Sequence, residues 1–221
     1  MSTSSAYTAP EVARSALLTI DMQRDFTEPG GESPIEGTQS CVPAMVRMLE
    51  AYRKCRLPVI HVIRLYKPDG TNADLCRRAL LAAGKKIVAP NSSGAELVND
   101  FTVGLDLRLE AASLLAGRMQ AIRDREWLMY KPRWDAFYGT SLESHLRGLS
   151  VTSVVIVGCN FPNCPRATAY GASMRDFRVA LVRDAVSGVY EQGLQELRNI
   201  AIETPSVEEW ARRLEPVSAE L

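Results

Sequence analysis

Short apolar runs of β type alternate with helical patterns along this chain, and this alternation limits the fold more than any other feature of the sequence. The runs occupy residues 15–21, 58–64, 127–131, 153–158 and 178–184. Continuous apolar runs are typical of strands buried on both faces, which occur in parallel sheets joined by crossover helices. The sequence therefore predicts a doubly wound α/β fold in which helices cover both faces of a mostly parallel sheet.

Helices are predicted between and after these strands, where apolar residues recur every three or four positions. The predicted ranges are 38–56, 73–83, 107–121, 141–149, 164–176 and 191–203, with a last helix that restarts at Thr204 and Pro205. Thr140 and Glu143 have capping-box spacing, which predicts the start of the helix at 141. The less regular residues 65–125 are expected to cover one end of the sheet, and the role of the inserted segment 102–125 stays open.

The size and charge of the chain restrict its partners. Its 221 residues fit one domain, predicted to span 1–221, with 1–12 as a flexible or loosely docked terminus. The 26 basic and 26 acidic residues balance, and no basic stripe favours a nucleic-acid surface. No apolar stretch approaches the length of a membrane span, so no membrane partner is predicted. Small molecules, uncharged or zwitterionic, remain possible ligands.

The cysteines indicate the compartment. There are five, an odd number, spread through a chain that is large enough to fold without disulfides. The first residues carry neither the basic nor the apolar region of a secretory signal. We therefore predict a reducing, cytoplasmic location.

Three chemically useful residues lie at the ends of predicted strands. Asp21 ends the first strand, Lys131 ends the third, and Cys164 follows the turn after the fourth. In doubly wound sheets the carboxyl ends of the strands line the ligand crevice, so these side chains are predicted to meet there. A carboxylate, an ammonium and a thiol together suit acyl transfer through a thioester. Taken singly, Asp21 could instead cap a turn, Lys131 could be solvated, and Cys164 could be a buried structural thiol.

The position of Cys164 favours a reactive thiol. Pro165 suits the first position of a helix, which would place Cys164 at the helix cap, beside free backbone donors. A helix dipole there is expected to lower the pKa of the thiol. Its neighbour Cys159 has no assigned base and is expected to have a packing role. Phe26, Trp134, Phe161 and Asn163 are the candidate substrate-binding residues, whereas Phe137 is expected in the core.

The sequence resembles the isochorismatase-like cysteine hydrolases. Three ordered motifs carry the resemblance, at 18–26, at 131–140 with Leu142, and at 158–172, and Asp184 with Ala185 follows at the expected distance. The similarity covers about residues 13–205. It implies six strands in a mostly parallel sheet, a homodimer or homotetramer, and a catalytic triad of Asp21, Lys131 and Cys164. It also implies a cis peptide between Cys159 and Asn160, with the backbone N–H groups of Asn160 and Cys164 as oxyanion hole.

The chain departs from its relatives at two places. Residues 160–163 replace a small residue and a threonine with a bulkier turn. Relatives of the nicotinamidase type bind a metal through an aspartate and histidines, but this chain has two histidines. His61 lies within a strand and is expected to pack in the core, while His145 is expected at the surface or the edge of the core. Hence no metal site and no cofactor are predicted.

Family members with a full triad cleave C–N bonds of amides, ureides, carbamoyl compounds or lactams. The resemblance therefore implies a metal-independent cysteine amidohydrolase for a small molecule, and the turn before Cys164 looks most like the group that includes streptothricin hydrolase. Two alternatives stay open. One is a vinyl ether hydrolase of the isochorismatase type, and the other is a catalytically silent protein that binds a small molecule.

Overall fold

A six-stranded sheet lies at the centre of the computed structural model, which describes residues 6–219. Its strands are β1 Ser15–Ile20, β2 Val59–Ile63, β3 Gln120–Arg123, β4 Glu126–Tyr130, β5 Ser153–Gly158 and β6 Arg178–Val186. They are ordered β3-β4-β2-β1-β5-β6, and every pair is parallel except β3 with β4. The predicted doubly wound, mostly parallel α/β fold is confirmed.

Helices cover both faces of the sheet. They are α1 Arg24–Thr27, α2 Thr38–Lys54, α3 Leu75–Ala82, α4 Ala111–Leu115, α5 Leu142–Gly148, α6 Cys164–Ser173, α7 Glu191–Asn199 and α8 Val207–Ala219. Apolar side chains of α2 and α8 join one hydrophobic cluster with one face of the sheet. Side chains of α5, α6 and α7 join a second cluster on the opposite face. Because strands β1, β2 and β5 are buried on both faces, their side chains supply both clusters.

The prediction of a helix over residues 107–121 is wrong. A single short helix, α4, occupies 111–115, and Gly117 ends it with a left-handed φ of 81°. Residues 120–123 then form the edge strand β3, which pairs antiparallel with β4 through a tight connection at Asp124 and Arg125. The sixth strand of the sheet therefore comes from the segment whose apolar spacing had indicated a helix.

The predicted capping box at Thr140 does not form. The Thr140 hydroxyl donates to the carbonyl oxygen of Ala136 at 2.6 Å and accepts from the N–H of Leu142 at 3.3 Å. Glu143 instead pairs with Arg175 at 3.2 Å. Helix α5 still begins near the predicted position, because Leu142 and Leu146 bury the apolar face of this segment.

The amino-terminal residues that the structure describes contact the sheet. The Glu11 N–H donates to Ser153 Oγ at 2.8 Å, and the Glu11 carboxylate accepts from Thr152 Oγ1 at 2.7 Å and pairs with Arg178 at 3.0 Å. Residues 1–5 of the terminus predicted to be loosely docked lie outside the described residues. Within 6–219, no helix is both long and apolar enough to cross a bilayer.

Gly158, the last residue of β5, allows this strand to approach β1 closely. Its φ is 124°, and a Cβ there would overlap the carbonyl oxygen of Ile20. Gly158→Ala is therefore expected to lower the free energy of unfolding by about 1–3 kcal/mol, the usual cost of overpacking a core. Chemical denaturation measures this loss. Gly148→Ala is the control, since a Cβ at Gly148 meets nothing within 4 Å, and equal stability of both variants would contradict the prediction.

Candidate active site

Three parallel strands of the sheet, β4, β1 and β5, deliver the candidate residues to one crevice. Asp21 follows β1, Lys131 follows β4, and the turn from Cys159 to Asn163 joins β5 to α6. The strand order reverses at β1, which has β2 on one side and β5 on the other, and such reversal points open a crevice at the carboxyl ends of the strands. Backbone hydrogen bonds continue past the strand ends: Asp21 N–H donates to the Val62 carbonyl oxygen at 2.8 Å, and Lys131 N–H donates to that of Ile63 at 3.0 Å.

The structure brings the carboxylate, the ammonium and the thiol together. Lys131 Nζ lies 2.9 Å from Asp21 Oδ2 and donates to Cys164 Sγ at 3.2 Å. Lys131 is fully buried, and Asp21 is 4% exposed. The other carboxylate oxygen, Asp21 Oδ1, is buried and has no hydrogen-bond partner among the described residues. One acceptor atom is thus free inside the crevice.

Burial and charge keep the resting thiol protonated. Burial, followed by the carboxylate of Asp21, raises the pKa of Cys164 to about 12, although Lys131 opposes this change. The pKa of Lys131 is lowered by burial, but Asp21 and Cys164 raise it more, and the net shift is upward. The expectation that the helix would lower the pKa of Cys164 is therefore wrong. A neutral thiol beside a cationic lysine needs a base before it can attack.

The turn after β5 presents two free backbone donors. The peptide between Cys159 and Asn160 is cis. The N–H groups of Asn160 and Cys164 donate to no acceptor within residues 6–219. Asn163 is the N-cap of α6, so Cys164 is the first helical residue and Pro165 the second. The helix therefore begins one residue earlier than the prediction that placed Cys164 at the cap. Both free N–H groups belong to residues that line the same cavity.

The neighbouring cysteine has a different environment. Cys159 is 1% exposed, and its Sγ donates to the carbonyl oxygen of Asp21 at 3.3 Å. Burial, with a smaller contribution from Asp21, raises the pKa of the Cys159 thiol well above its ordinary value. This environment agrees with the packing role expected for Cys159.

A cavity of about 310 Å³ opens beside Cys164. Phe26, Trp134 and Asn163, three of the four candidate substrate-binding residues, line it. Trp134 is 44% exposed, so its ring borders solvent. The other residues that line the cavity are Asp21, Ile35, Arg64, Tyr66, Cys76, Arg77, Cys159, Asn160 and Cys164.

The prediction that Phe161 binds substrate is wrong. Phe161 is fully buried, and its ring packs edge-on against Tyr190, with centroids 5.3 Å apart. Its N–H donates to the carbonyl oxygen of Ser187 at 2.8 Å, which turns the side chain into the second hydrophobic cluster, away from the cavity. Phe137 packs in the same cluster, as expected, with its ring 5.7 Å from that of Phe177.

Sequence reasoning missed the basic side of the cavity. Arg64 directly follows β2, as Asp21 follows β1, so its position at a strand end was a signal that could have identified it. Arg64 is 2% exposed and is held by Asp74 at 2.5 Å. Tyr66, Cys76 and Arg77 come from the irregular segment, whose sequence pattern does not indicate which side chains face inward.

Both histidines lie away from the cavity. His61 is fully buried, as expected, and its two ring nitrogens contact Thr19 Oγ1 and Glu126 Oε1, each at 2.8 Å. Neither nitrogen is thus available to a metal. His145 lies at the edge of the core, with its ring 4.6 Å from that of Trp127. Within residues 6–219, no three histidine, cysteine, aspartate or glutamate side chains are grouped as metal ligands.

Comparison with known proteins decides the family. The family model described as Isochorismatase domain matches residues 15–107 and 115–207. The chain belongs to the isochorismatase family. This confirms the resemblance found in the sequence motifs, while membership of the streptothricin hydrolase group stays a prediction.

Relatives within the isochorismatase family include amidohydrolases. A maleamate amidohydrolase of Pseudomonas putida is 30% identical over 173 residues, which cover 77% of this chain and 71% of that protein. A protein of Arabidopsis thaliana named a probable inactive nicotinamidase is 33% identical over 205 residues, covering 90% of this chain and 95% of that protein. The crystal structure of an isochorismatase family protein from Desulfovibrio vulgaris has a TM-score of 0.76 and 30% identity, and covers 91% of this chain and 98% of that one.

Proposed function

We propose that this isochorismatase-family protein is a metal-independent cysteine amidohydrolase that cleaves a C–N bond of a small amide, ureide or lactam through a thioester. The observation that carries the proposal is the contact of Lys131 Nζ with both Asp21 Oδ2, at 2.9 Å, and Cys164 Sγ, at 3.2 Å. A relative named an amidohydrolase adds support. The same reasoning favours a small-molecule substrate, and the predicted cytoplasmic location and homodimer or homotetramer accompany it as proposals.

Thioester formation begins with proton transfer. The thiol of Cys164 is neutral at rest, so a base has to remove its proton. Asp21 Oδ1 is the free acceptor in the crevice, and it takes the proton while Sγ forms a bond to the substrate carbonyl carbon. The oxyanion that develops is stabilised by the N–H groups of Asn160 and Cys164, which have no other acceptor.

The second half of the reaction reverses the proton transfers. Protonated Asp21 gives its proton to the substrate nitrogen, the C–N bond breaks, and the amine leaves the acyl-enzyme. Asp21 then takes a proton from water, whose oxygen attacks the thioester carbon. The C–S bond breaks, the carboxylic acid is released, and the sulfur recovers a proton from Asp21. Lys131 remains cationic throughout and balances the negative charge that moves between Asp21 and the sulfur.

The Asp21→Asn variant separates the two effects of Asp21. Without the base, kcat is expected to fall by about 10²- to 10⁴-fold. The same change removes a charge that raises the pKa of Cys164, so Lys131 stabilises the thiolate. Alkylation of Cys164 by iodoacetamide at neutral pH is therefore expected to speed up, about tenfold for each unit by which the pKa falls. Steady-state ammonia release and timed mass spectrometry measure the two rates.

An Asp21→Asn protein that kept the kcat of the natural protein would contradict the role of Asp21 as base, whereas loss of both rates together would indicate a collapsed site. Cys41, which is partly exposed on α2 and lies outside the cavity lining, is the internal control for alkylation, since its rate should not respond to the substitution. A panel of small amides, ureides and lactams, assayed for ammonia or amine release, identifies the bond that is cleaved.

A silent binding protein is the second candidate, because a relative carries the name of a probable inactive nicotinamidase. For a silent protein, the Cys164→Ser variant would bind small amides as the natural protein does, and no acyl adduct would form on Cys164 with any member of the panel. An adduct that shifts the mass of the peptide containing Cys164 favours the hydrolase.

A further inference from the structure

Two arginines line the cavity beside Cys164, and one of them has an acidic partner. Arg64 donates to Asp74 Oδ2 at 2.5 Å and to the carbonyl oxygen of Lys131 at 2.8 Å. Asp74 also accepts from the Tyr66 hydroxyl at 3.2 Å. Arg77 is a half-buried residue on α3, one turn beyond Asp74, and its guanidinium pairs with no side chain in the part of the chain that the structure describes.

The charges around the cavity therefore do not cancel. Asp21 is the single acidic residue among those that line it, and its carboxylate is already paired with Lys131. Asp74 does not line the cavity and pairs with Arg64. The positive charge of Arg77 remains without a counterion. A neutral substrate that covered Arg77 would remove water from an unpaired cation, which costs free energy.

We propose that the substrate of this site is an anionic amide: its amide carbonyl lies at Cys164, and a separate carboxylate binds Arg77. This inference rests on the proposed amidohydrolase function. A guanidinium can hold a carboxylate through two parallel N–H donors, which fixes orientation as well as charge. The cavity of about 310 Å³ lies near the lower limit of ligand sites, about 300 Å³. A short chain between amide and carboxylate is therefore expected.

A matched pair of amides tests this substrate class. Succinamate carries one amide and one carboxylate, and succinamide replaces the carboxylate with a second neutral amide. For the natural protein, kcat/KM is expected to be about 10- to 100-fold higher for succinamate, after correction for the two equivalent amides of succinamide. Arg77→Gln is expected to bring this ratio close to one. Arg78→Gln is the control, since Arg78 borders a different cavity, and it should keep the ratio.

Binding supplies a readout that does not depend on turnover. Calorimetry with the Cys164→Ala variant is expected to show tighter binding of succinamate than of succinamide, with a Kd that rises about 10- to 100-fold when Arg77→Gln is added. Hydrolysis of both amides at equal efficiency would overturn the anionic class and leave the amidohydrolase function intact. Selective binding of succinamate through Arg77 without hydrolysis would support the anionic site and count against the amidohydrolase function. Equal binding of both amides would overturn the inference.

Discussion

Replacement of Cys164 by serine is expected to lower kcat for amide hydrolysis by about 10⁴-fold or more, the scale seen when a catalytic nucleophile is removed. A hydroxyl is a weaker nucleophile than a thiol, and Asp21 would have to remove a proton from a group that holds it more tightly. Ammonia release under steady-state conditions measures the loss. Mass spectrometry of the quenched reaction should at the same time show an acyl adduct on the natural protein and none on the variant.

The effect should be chemical and not structural. Cys164 is partly exposed at the cavity wall, and serine is close to cysteine in size, so the midpoint of thermal unfolding is expected to change little. Cys41→Ser is the matched control, because Cys41 is also partly exposed but lies on α2, outside the cavity lining. A Cys164→Ser protein that is folded and hydrolyses amides as fast as the Cys41→Ser control would refute the thioester mechanism.

Hydrophobic periodicity predicted the centre of this fold because its strands are buried on both faces. Residues 15–21 and 153–158 are continuous apolar runs, and they became β1 and β5 within one residue of the predicted ends. Their burial leaves no solvent face that could blur the pattern. The positions of Asp21 and Lys131 at one edge of the sheet followed from the runs 15–21 and 127–131, since parallel strands end on the same side.

The edge of the sheet was harder to predict. Strand β3 is four residues long, partly exposed, and paired on one side with β4. A short edge strand of this kind has no continuous apolar run, and the leucines that precede it had suggested a longer helix. The observed strand depends on pairing with β4, which is a tertiary contact that local spacing does not reveal.

Side-chain direction in the turn after β5 was also outside the reach of the sequence. Phe161 and Asn163 are two residues apart, yet Phe161 packs beneath α7 while Asn163 lines the cavity. The difference arises from backbone contacts of the turn, such as the Phe161 N–H to the Ser187 carbonyl oxygen. The pKa of Cys164 likewise depends on the burial of the thiol and on the nearby charge of Asp21. Neither can be predicted from the position of Cys164 at the start of a helix.

A buried polar cluster ties the sheet to α2 on the side opposite α6. Arg53 binds both carboxylate oxygens of Glu126, at 2.7 and 2.9 Å, and His61 Nε2 contacts one of them at 2.8 Å. A carboxylate accepts hydrogen bonds, so Nε2 carries the proton, and Nδ1 accepts from the Thr19 hydroxyl. Burial raises the pKa of Glu126, but hydrogen bonds from His61 and Arg53 outweigh it and lower the pKa to about 2.

Glu126→Ala is expected to lower the free energy of unfolding by about 3–5 kcal/mol, because it leaves His61 and Arg53 without the carboxylate that satisfies them. The loss should depend on pH. A carboxyl whose pKa is lower in the folded chain contributes its full stability above its ordinary pKa of 4.5 and loses it as the pH falls toward 2. The natural protein and the variant should therefore differ most near neutral pH and converge in acid. Denaturant unfolding at several pH values measures the difference, with Glu208→Ala, from an exposed pair with Arg212, as control. A difference that stays constant down to pH 2, or a variant as stable as the control at neutral pH, would show that this cluster does not hold the sheet to α2.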